Sequence, residues 1–309
     1  MHRKFATLIG LVAALALAAP TAAITTGQPD NGEHPYVGEL LFYVPDAVDS
    51  RFDTPGSWFT CTGTLLNSTA VITAGHCTFG IGKGGASTTD NGAITTAALG
   101  GFGGNDVWIN FNQAPNFSIL PPSSTFVPSR NHQRYLDWSK ALNESLDWHR
   151  GTSHPQPQYD DNAFFLHDAG IVKLASSVSS QPHAQVVGLN YLDKYRSAPR
   201  NTQRFEVVGY GLEKVLPKAE LGGDTRMKAE PKLDNINPRN PYIVLSNNKA
   251  TGGTCFGDSG GPTFDNTDSN LVVAVTSFGM GPNCTGIGGA YRLDRPEVQA
   301  FLTTYLNTP

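Results

Sequence analysis

Short apolar runs separated by glycine, proline and asparagine set the pattern of this 309-residue chain. Runs rich in valine and aromatic residues and bounded by turn residues are typical of β-strands. The pattern therefore predicts an all-β protein, long enough for one large domain or two small ones. The predicted strands cover residues 36–44, 62–66, 70–73, 171–174, 205–210, 243–245 and 271–278.

Two segments instead carry apolar residues at helical spacing. Beyond Pro296 the apolar positions recur every three or four residues, and proline is favoured in the first turn of a helix. This pattern predicts a C-terminal helix. A second set, spaced 3, 4 and 4 apart, predicts a short amphipathic helix in the middle of the chain: Tyr135, Trp138, Leu142 and Leu146.

The first 23 residues have the layout of a secretory signal. A basic start at residues 2–4 precedes an apolar stretch at 8–19, and small residues follow at 21–23. The apolar stretch is too short to span a bilayer. We therefore expect a signal peptide over 1–23 and a secreted, extracellular protein over 24–309 with no membrane anchor.

The charge pattern argues against a nucleic-acid partner. The net charge of −4 becomes −6 when the two basic residues Arg3 and Lys4 leave with the signal, and no run of lysine or arginine occurs elsewhere. No glycine pattern of the kind that cradles phosphates appears either. We expect no cofactor.

Four cysteines in an exported chain predict two disulfides, and the sequence alone allows three pairings. No Cys-x-x-Cys spacing occurs, so free thiols and metal ligation are the weaker interpretation. We expect no metal site.

The strongest candidate chemistry is a serine in a glycine-rich turn. The run GDSGGP at 257–262 presents the Ser259 hydroxyl where backbone N–H groups can point at an incoming oxygen. Such a hydroxyl becomes a nucleophile only when a base takes its proton. His76, in the run TAGHC at 73–77, supplies an imidazole, and Asp168 supplies a carboxylate just before a strand-like run.

These three motifs, in the order His76, Asp168, Ser259, resemble those of the chymotrypsin/trypsin family of secreted serine peptidases. TAGHC and GDSGGP are close to the usual motifs of the family, whereas HDAGIV differs more from the corresponding motif. The resemblance implies two six-stranded antiparallel β-barrels, at about 24–180 and 181–309, with the active site in the cleft between them and a C-terminal α-helix. Residues 176–185 would link the barrels.

The resemblance also implies the role of each residue. Ser259 would attack the scissile carbonyl, His76 would take its proton, and Asp168 would orient the imidazole. The N–H groups of Gly257 and Ser259 would form the oxyanion hole, and Asp258 would pair with an N-terminal ammonium at Ile24. The implied disulfides are Cys61–Cys77 and Cys255–Cys284.

A specificity pocket follows from the same resemblance. Gly253 takes the position of the aspartate that Lys/Arg-specific relatives carry, and Thr276 takes that of a histidine in glutamate-specific ones. We therefore expect a bulky apolar or aromatic residue before the cleaved bond. The implied substrate-binding residues are Gly253, Thr254, Ser277, Phe278, Gly279 and Gly289.

Several alternatives stay open at this point. Asp160 or Asp161 could replace Asp168, and signal cleavage could create Ile24 directly or leave a tiny propeptide over 20–23. The long insertion at about 80–160 could be decoration or a lid over the cleft. Lys/Arg specificity, esterase activity and a non-catalytic binding role are the alternative functions. The expected partners are polypeptide substrates and protein inhibitors, and the expected state is a monomer.

Overall fold

The computed structural model describes residues 24–44, 57–82, 103–121, 128–199 and 201–307. The predicted signal segment lies outside them. The all-β prediction is confirmed, since the described residues contain seventeen β-strands and two α-helices.

A closed six-stranded barrel forms the first half of the molecule. Its strands follow one another in the order β2, β3, β4, β7, β6, β5, and every neighbouring pair is antiparallel. Their side chains are largely buried because the barrel interior is packed with valine, leucine and isoleucine. The strands are β2 (Val37–Val44), β3 (Ser57–Asn67), β4 (Ala70–Thr73), β5 (Val107–Asn110), β6 (Trp148–Pro155) and β7 (Gly170–Leu174).

The second half is a curled nine-stranded sheet. Eight strands lie in the order β1, β12, β9, β15, β16, β17, β14, β13, and β8 adds a short parallel pairing to β16. A hairpin of β10 and β11 stands apart from it. The strands are β1 (Gln28–Pro29), β8 (Gln185–Val186), β9 (Phe205–Gly209), β10 (Leu212–Leu216), β11 (Ala219–Gly222), β12 (Met227–Ala229), β13 (Leu233–Ile236), β14 (Tyr242–Asn247), β15 (Pro262–Asp265), β16 (Asp268–Gly279) and β17 (Gly286–Arg292).

The C-terminal helix is confirmed as α2 (Pro296–Leu306). Although it follows the second sheet, it packs back against the first barrel, where the Tyr305 ring lies 4.9 Å from that of His154. Its buried residues Val298, Phe301 and Leu302 belong to one apolar core that draws on both halves of the chain. No helix among the residues described is long and apolar enough to cross a membrane.

The predicted middle helix is α1 (Pro128–Glu144), and it decorates the outside of the first barrel. Tyr135 and Leu142 are buried there, and Trp138 lies 5.3 Å from Trp58 of β3. Leu146, predicted for the same apolar face, lies beyond the end of the helix and is 95% exposed. Of the two interpretations of the insertion, α1 fits decoration; residues 83–102 and 122–127 lie outside the described part.

A buried polar latch joins the two halves near the N-terminal segment. Arg226, just before β12, donates to the carbonyls of Val37 and Phe111 in the first half, at 2.9 and 3.0 Å, and to Asp30 at 2.8 Å. The His34 ring lies between Asp30 and Glu206, at 2.5 and 3.0 Å. Because every one of these charges has an opposite partner, the latch holds the barrels without leaving an uncompensated buried ion.

Candidate active site

Two neighbouring strands of the first barrel bring His76 and Asp168 together. Thr73 at the end of β4 pairs with Gly170 at the start of β7, so the residues just beyond those positions are neighbours. The His76 Nδ1 atom lies 3.0 and 3.1 Å from the two carboxylate oxygens of Asp168, and the His76 backbone N–H donates to the same carboxylate at 2.9 Å. Asp168 therefore holds both the ring and the backbone of His76.

The electrostatics of this pair favour a basic imidazole. Burial on its own would lower the pKa of His76, but the charge and hydrogen bond of Asp168 outweigh it and raise that pKa above its usual value. Asp168 is itself fully buried and accepts a further hydrogen bond, at 2.5 Å, from the Ser277 hydroxyl. The sequence assigned Ser277 to the substrate and gave no sign of this bond, which joins residues 109 positions apart.

Ser259 lies in the loop that leads into β15, and the geometry of that loop requires glycine. Gly257 has a φ of +96°, and a Cβ atom there would come within 2.7 Å of the Gly211 Cα. Neither the Gly257 nor the Ser259 N–H group donates to a protein acceptor among the described residues. Both are therefore available to a developing oxyanion.

His76 and Ser259 line one cavity, together with Gly257. Since Asp168 is hydrogen-bonded to His76, all three predicted catalytic residues lie at or directly behind this cavity, at the boundary of the two halves. The alternatives Asp160 and Asp161 lie at a short 3₁₀ turn (Asp161–Ala163), where Asp160 caps the N–H of Asn162.

Asp258 is buried behind the serine and bonds to backbone. Its two oxygens accept from the N–H groups of Gly211 and Cys255, each at 2.8 Å, and burial raises the pKa of its carboxyl to about 7. Ile24 is buried close by, and its nitrogen donates to the Gly211 carbonyl at 3.4 Å. Because residue 23 precedes it here, that nitrogen is an amide.

Both implied disulfides are confirmed. Cys61 is bonded to Cys77 next to His76, and Cys255 is bonded to Cys284 next to the serine loop. The Cys61 and Cys77 sulfurs lie within 4.8 Å of a nitrogen of the His76 ring, but no thiolate is left there because the sulfurs are joined to each other.

A cavity of about 240 Å³ opens beside Ser259, and four of the six predicted pocket residues line it. These are Thr254, Ser277, Phe278 and Gly279. The lining also contains Thr276 and the Cys255–Cys284 disulfide, which the resemblance had named, and three residues that the sequence did not indicate: Phe164, Phe256 and Gly281.

Gly253 and Gly289 do not line that cavity. A Cβ atom on Gly289 would lie 2.2 Å from the Phe278 ring, so Gly289 faces that ring. A Cβ atom on its neighbour Gly288 would instead lie 3.4 Å from the Thr254 hydroxyl oxygen. Gly253 exchanges backbone hydrogen bonds with Thr25 and is covered by another side chain.

The residue that covers Gly253 is Asn247, at the end of β14. A Cβ atom on Gly253 would lie 2.1 Å from the Asn247 Oδ1 atom, and the Asn247 Nδ2 group donates to the Thr254 carbonyl at 2.9 Å. The space that a longer side chain at 253 would need is thus filled by a neutral amide from a different strand. Nothing in the local sequence indicated Asn247.

Comparison with known proteins agrees with this architecture. A search among proteins of curated function gave no match. Among solved structures, the chain is similar to the HL collagenase, with 15% identity and a TM-score of 0.60 over 93% of this chain and 100% of that one. It is also similar to human heparin binding protein, at 15% identity and a TM-score of 0.55 over 93% and 98%.

A third similar structure is the scabies mite inactivated protease paralogue S-D1, at 12% identity and a TM-score of 0.54 over 92% of this chain and 98% of that one. At these identities the likeness concerns the fold alone. The sequence model of the trypsin family matches residues 139–295, which is just over half of the chain. With the two-barrel fold and the family match together, the chain belongs to the trypsin family.

Proposed function

We propose that the protein is a secreted serine endopeptidase that hydrolyses peptide bonds through an acyl-enzyme on Ser259. The observation that carries this proposal is the hydrogen bond between His76 and the buried Asp168 carboxylate, at the edge of a cavity that Ser259 also lines. That arrangement supplies a nucleophile, a base and a carboxylate that orients the base, as acyl transfer requires.

In the proposed reaction the Ser259 oxygen attacks the scissile carbonyl carbon while its proton passes to the His76 Nε2 atom. The carbonyl oxygen becomes an oxyanion that the N–H groups of Gly257 and Ser259 stabilise; losing one such donor typically costs about 10²–10³ in rate. His76 then gives its proton to the leaving amine as the C–N bond breaks. A water molecule repeats the sequence on the ester and restores Ser259.

The pocket beside Ser259 supports a preference for a bulky apolar or aromatic residue before the cleaved bond. Its lining includes the Phe164 and Phe278 rings and the Thr254 hydroxyl but no charged group among the described residues. The neutral Asn247 amide behind Gly253 also differs from the carboxylate that would attract lysine or arginine.

We extend the proposal to secretion and to the N-terminus. If signal cleavage after residue 23 frees the Ile24 amine, the new ammonium lies beside the buried Asp258 carboxyl and supplies the cation that this group lacks. Breaking a buried pair of this kind costs about 3–5 kcal/mol, so activity should depend on it by about 10²–10⁴-fold. N-terminal sequencing of the secreted protein and assay of a form with an added alanine before Ile24 test this part.

The decisive experiment compares the secreted protein with Ser259→Ala on chromogenic peptides that carry Phe, Tyr, Arg or Lys before the cleaved bond. We expect turnover of the Phe and Tyr peptides, stoichiometric labelling of Ser259 by a fluorophosphonate, and loss of both in Ser259→Ala with an unchanged melting temperature. A folded wild-type protein with neither turnover nor labelling would instead support the non-catalytic role that the inactivated mite paralogue represents.

A further inference from the structure

A second cavity, of about 680 Å³, shares Ser259 with the specificity pocket and is also lined by His76 and by residues of the first barrel. Its lining joins aromatic residues from the first barrel, among them Phe42, Trp58 and Phe59, to the base of the β10–β11 hairpin. Two acids line it, Glu220 and Asp224, and the described part of the lining contains no lysine or arginine. We call it the leaving-side groove.

Behind Asp224 lies a carboxyl group with no ordinary partner. Glu39, on β2, is 1% exposed, and within the described chain neither of its carboxyl oxygens accepts from an N–H or O–H donor. The side chain of Asp224 lies close enough that its charge and its hydrogen bonding with Glu39 both raise the pKa of the Glu39 carboxyl. Two carboxyl groups can share a hydrogen bond only when one of them keeps a proton.

The environment decides which group keeps that proton. Burial, followed by the charges of Asp224 and Asp258, raises the pKa of the Glu39 carboxyl well above its usual value. Burial also raises the pKa of Asp224, but the hydrogen bond from Glu39 acts in the opposite direction. Glu39 is therefore the donor and Asp224 the carboxylate that accepts.

The backbone of Asp224 is also held in place by the fold. Asp224 has a φ of +57°, and its N–H group donates to the Tyr210 carbonyl at 2.9 Å. The Leu212 N–H, two residues after Tyr210, donates to the Phe256 carbonyl at 2.7 Å, next to the serine loop. Asp224 is thus a preoriented carboxylate on the wall of a substrate-sized groove, and none of the described ion pairs includes it.

We propose that the leaving-side groove binds a lysine or arginine side chain from one of the first two residues after the cleaved bond, with Asp224 as its ion-pair partner. This inference rests on the proposed peptidase function. The aromatic lining suits the methylene stem of such a side chain, and a cation near Trp58 or Phe59 gains further attraction from the ring face. Glu39 acts as a positioning residue through its bond to Asp224.

The test measures kcat/KM for internally quenched peptides with one fixed acyl half and Lys, Ala or Glu at each of the first two positions after the bond. We expect Lys to exceed Glu by about tenfold or more at one position, and this ratio to fall at high salt. Asp224→Asn, which tolerates the same backbone conformation, should reduce the ratio to near one; the matched change Asp234→Asn, on β13, should leave it intact.

Two further measurements separate the causes of failure. A chromogenic substrate with the same acyl half and no residue after the bond should be hydrolysed equally by wild type and Asp224→Asn; if wild type hydrolyses neither substrate, the peptidase function itself is wrong. If both substrates are hydrolysed but Lys and Glu peptides react alike, or Asp224→Asn keeps the ratio, the groove assignment is wrong. Glu39→Gln should keep the ratio of Lys to Glu peptides at neutral pH, since its amide also donates to Asp224. The ratio should change at alkaline pH only in wild type, where Glu39 can lose its proton.

Discussion

The Thr62 hydroxyl, on strand β3 of the first barrel, donates to the Gly257 carbonyl of the second half at 3.0 Å. The backbone N–H of Thr62 donates to the Ser259 carbonyl at 2.8 Å, and its hydroxyl accepts from the Tyr210 N–H at 3.2 Å. One residue of the first barrel therefore holds the carbonyls of Gly257 and Ser259, and so constrains the backbone that carries the two N–H groups proposed for the oxyanion hole.

We expect Thr62→Val to lower kcat by about tenfold with a smaller effect on KM. The change removes both hydrogen bonds of the hydroxyl, each worth about 1 kcal/mol, and loosens the backbone of the serine loop, whose N–H donors are needed mainly in the transition state. Steady-state kinetics on a chromogenic peptide measures it. The control is Thr64→Val on the same strand, because the Thr64 hydroxyl is buried without a partner among the described residues; equal losses in the two variants would contradict the role of Thr62.

Asp168→Asn should lower kcat by about 10⁴, because an amide would stabilise the wrong tautomer of His76. Asp161→Asn is the matched control, since Asp161 is exposed and lies in the turn before Asp168. Active-site titration and kcat measure both. A nearly normal Asp168→Asn beside an inactive Asp161→Asn would reverse the assignment.

The pH profile gives an independent check on the same pair. His76 accepts a proton only when neutral, so activity should fall as the pH drops through its pKa, which Asp168 raises above the usual 6.5 despite the opposing effect of burial. In Asp168→Asn the charge is gone, and the acid limb of kcat/KM should move to lower pH. An unmoved acid limb in that variant would mean that another group sets it.

Asn247→Asp should shift specificity toward lysine and arginine. The substitution is nearly isosteric and places a carboxylate behind Gly253 and Gly288, where a neutral amide now lies. We expect the ratio of kcat/KM for Arg over Phe peptides to rise by about 10–100-fold, at some cost in stability because the bond to the Thr254 carbonyl is lost. Gly253→Asp should not substitute for it, since its side chain would overlap Asn247.

The latch between the barrels should lose stability as the pH rises. Burial opposes the charge of His34, but the hydrogen bonds of Asp30 and Glu206 prevail and raise its pKa. A group whose pKa is raised on folding stabilises the protein below its unfolded pKa of about 6.5, and this contribution is lost as the pH rises through the folded pKa.

Urea unfolding between pH 5.5 and 9 measures this effect. Wild type should lose free energy of unfolding over the upper part of the range, and His34→Gln should lose much less, whereas His183→Gln, at an exposed position, should follow wild type. Parallel curves for wild type and His34→Gln would show that the His34 proton does not contribute.

Local patterns predicted seven of the strands and the C-terminal helix, and the family resemblance implied both disulfide pairings and the pairing of His76 with Asp168 because motifs and their order carry that information. Local patterns do not determine which residues line the pocket. Gly288 and Gly289 are adjacent glycines in one strand, so no side chain marks which faces the cavity, and a slip of one residue moves a position to the opposite face. The family resemblance chose Gly289, and in the structure neither glycine lines the cavity: Gly289 faces the Phe278 ring and Gly288 faces Asn247 and Thr254.

The other residues that the sequence missed act through contacts that only the folded chain creates. Ser277 reaches Asp168 across 109 positions, and Asn247, at the end of β14, covers Gly253 in the turn that follows. Glu39 and Asp224 belong to different halves of the molecule and are ordinary surface-type residues in any local window. Their roles depend on which strands become neighbours, and only the assembled fold decides that.

The return of α2 to the first barrel has a consequence for how the molecule comes apart. Because this terminal helix packs against the opposite half, cleavage of the connecting segment at 176–185 should leave two pieces that stay associated. The two pieces should then unfold together in one transition. A single calorimetric transition, shared by intact and nicked protein, would be its signature.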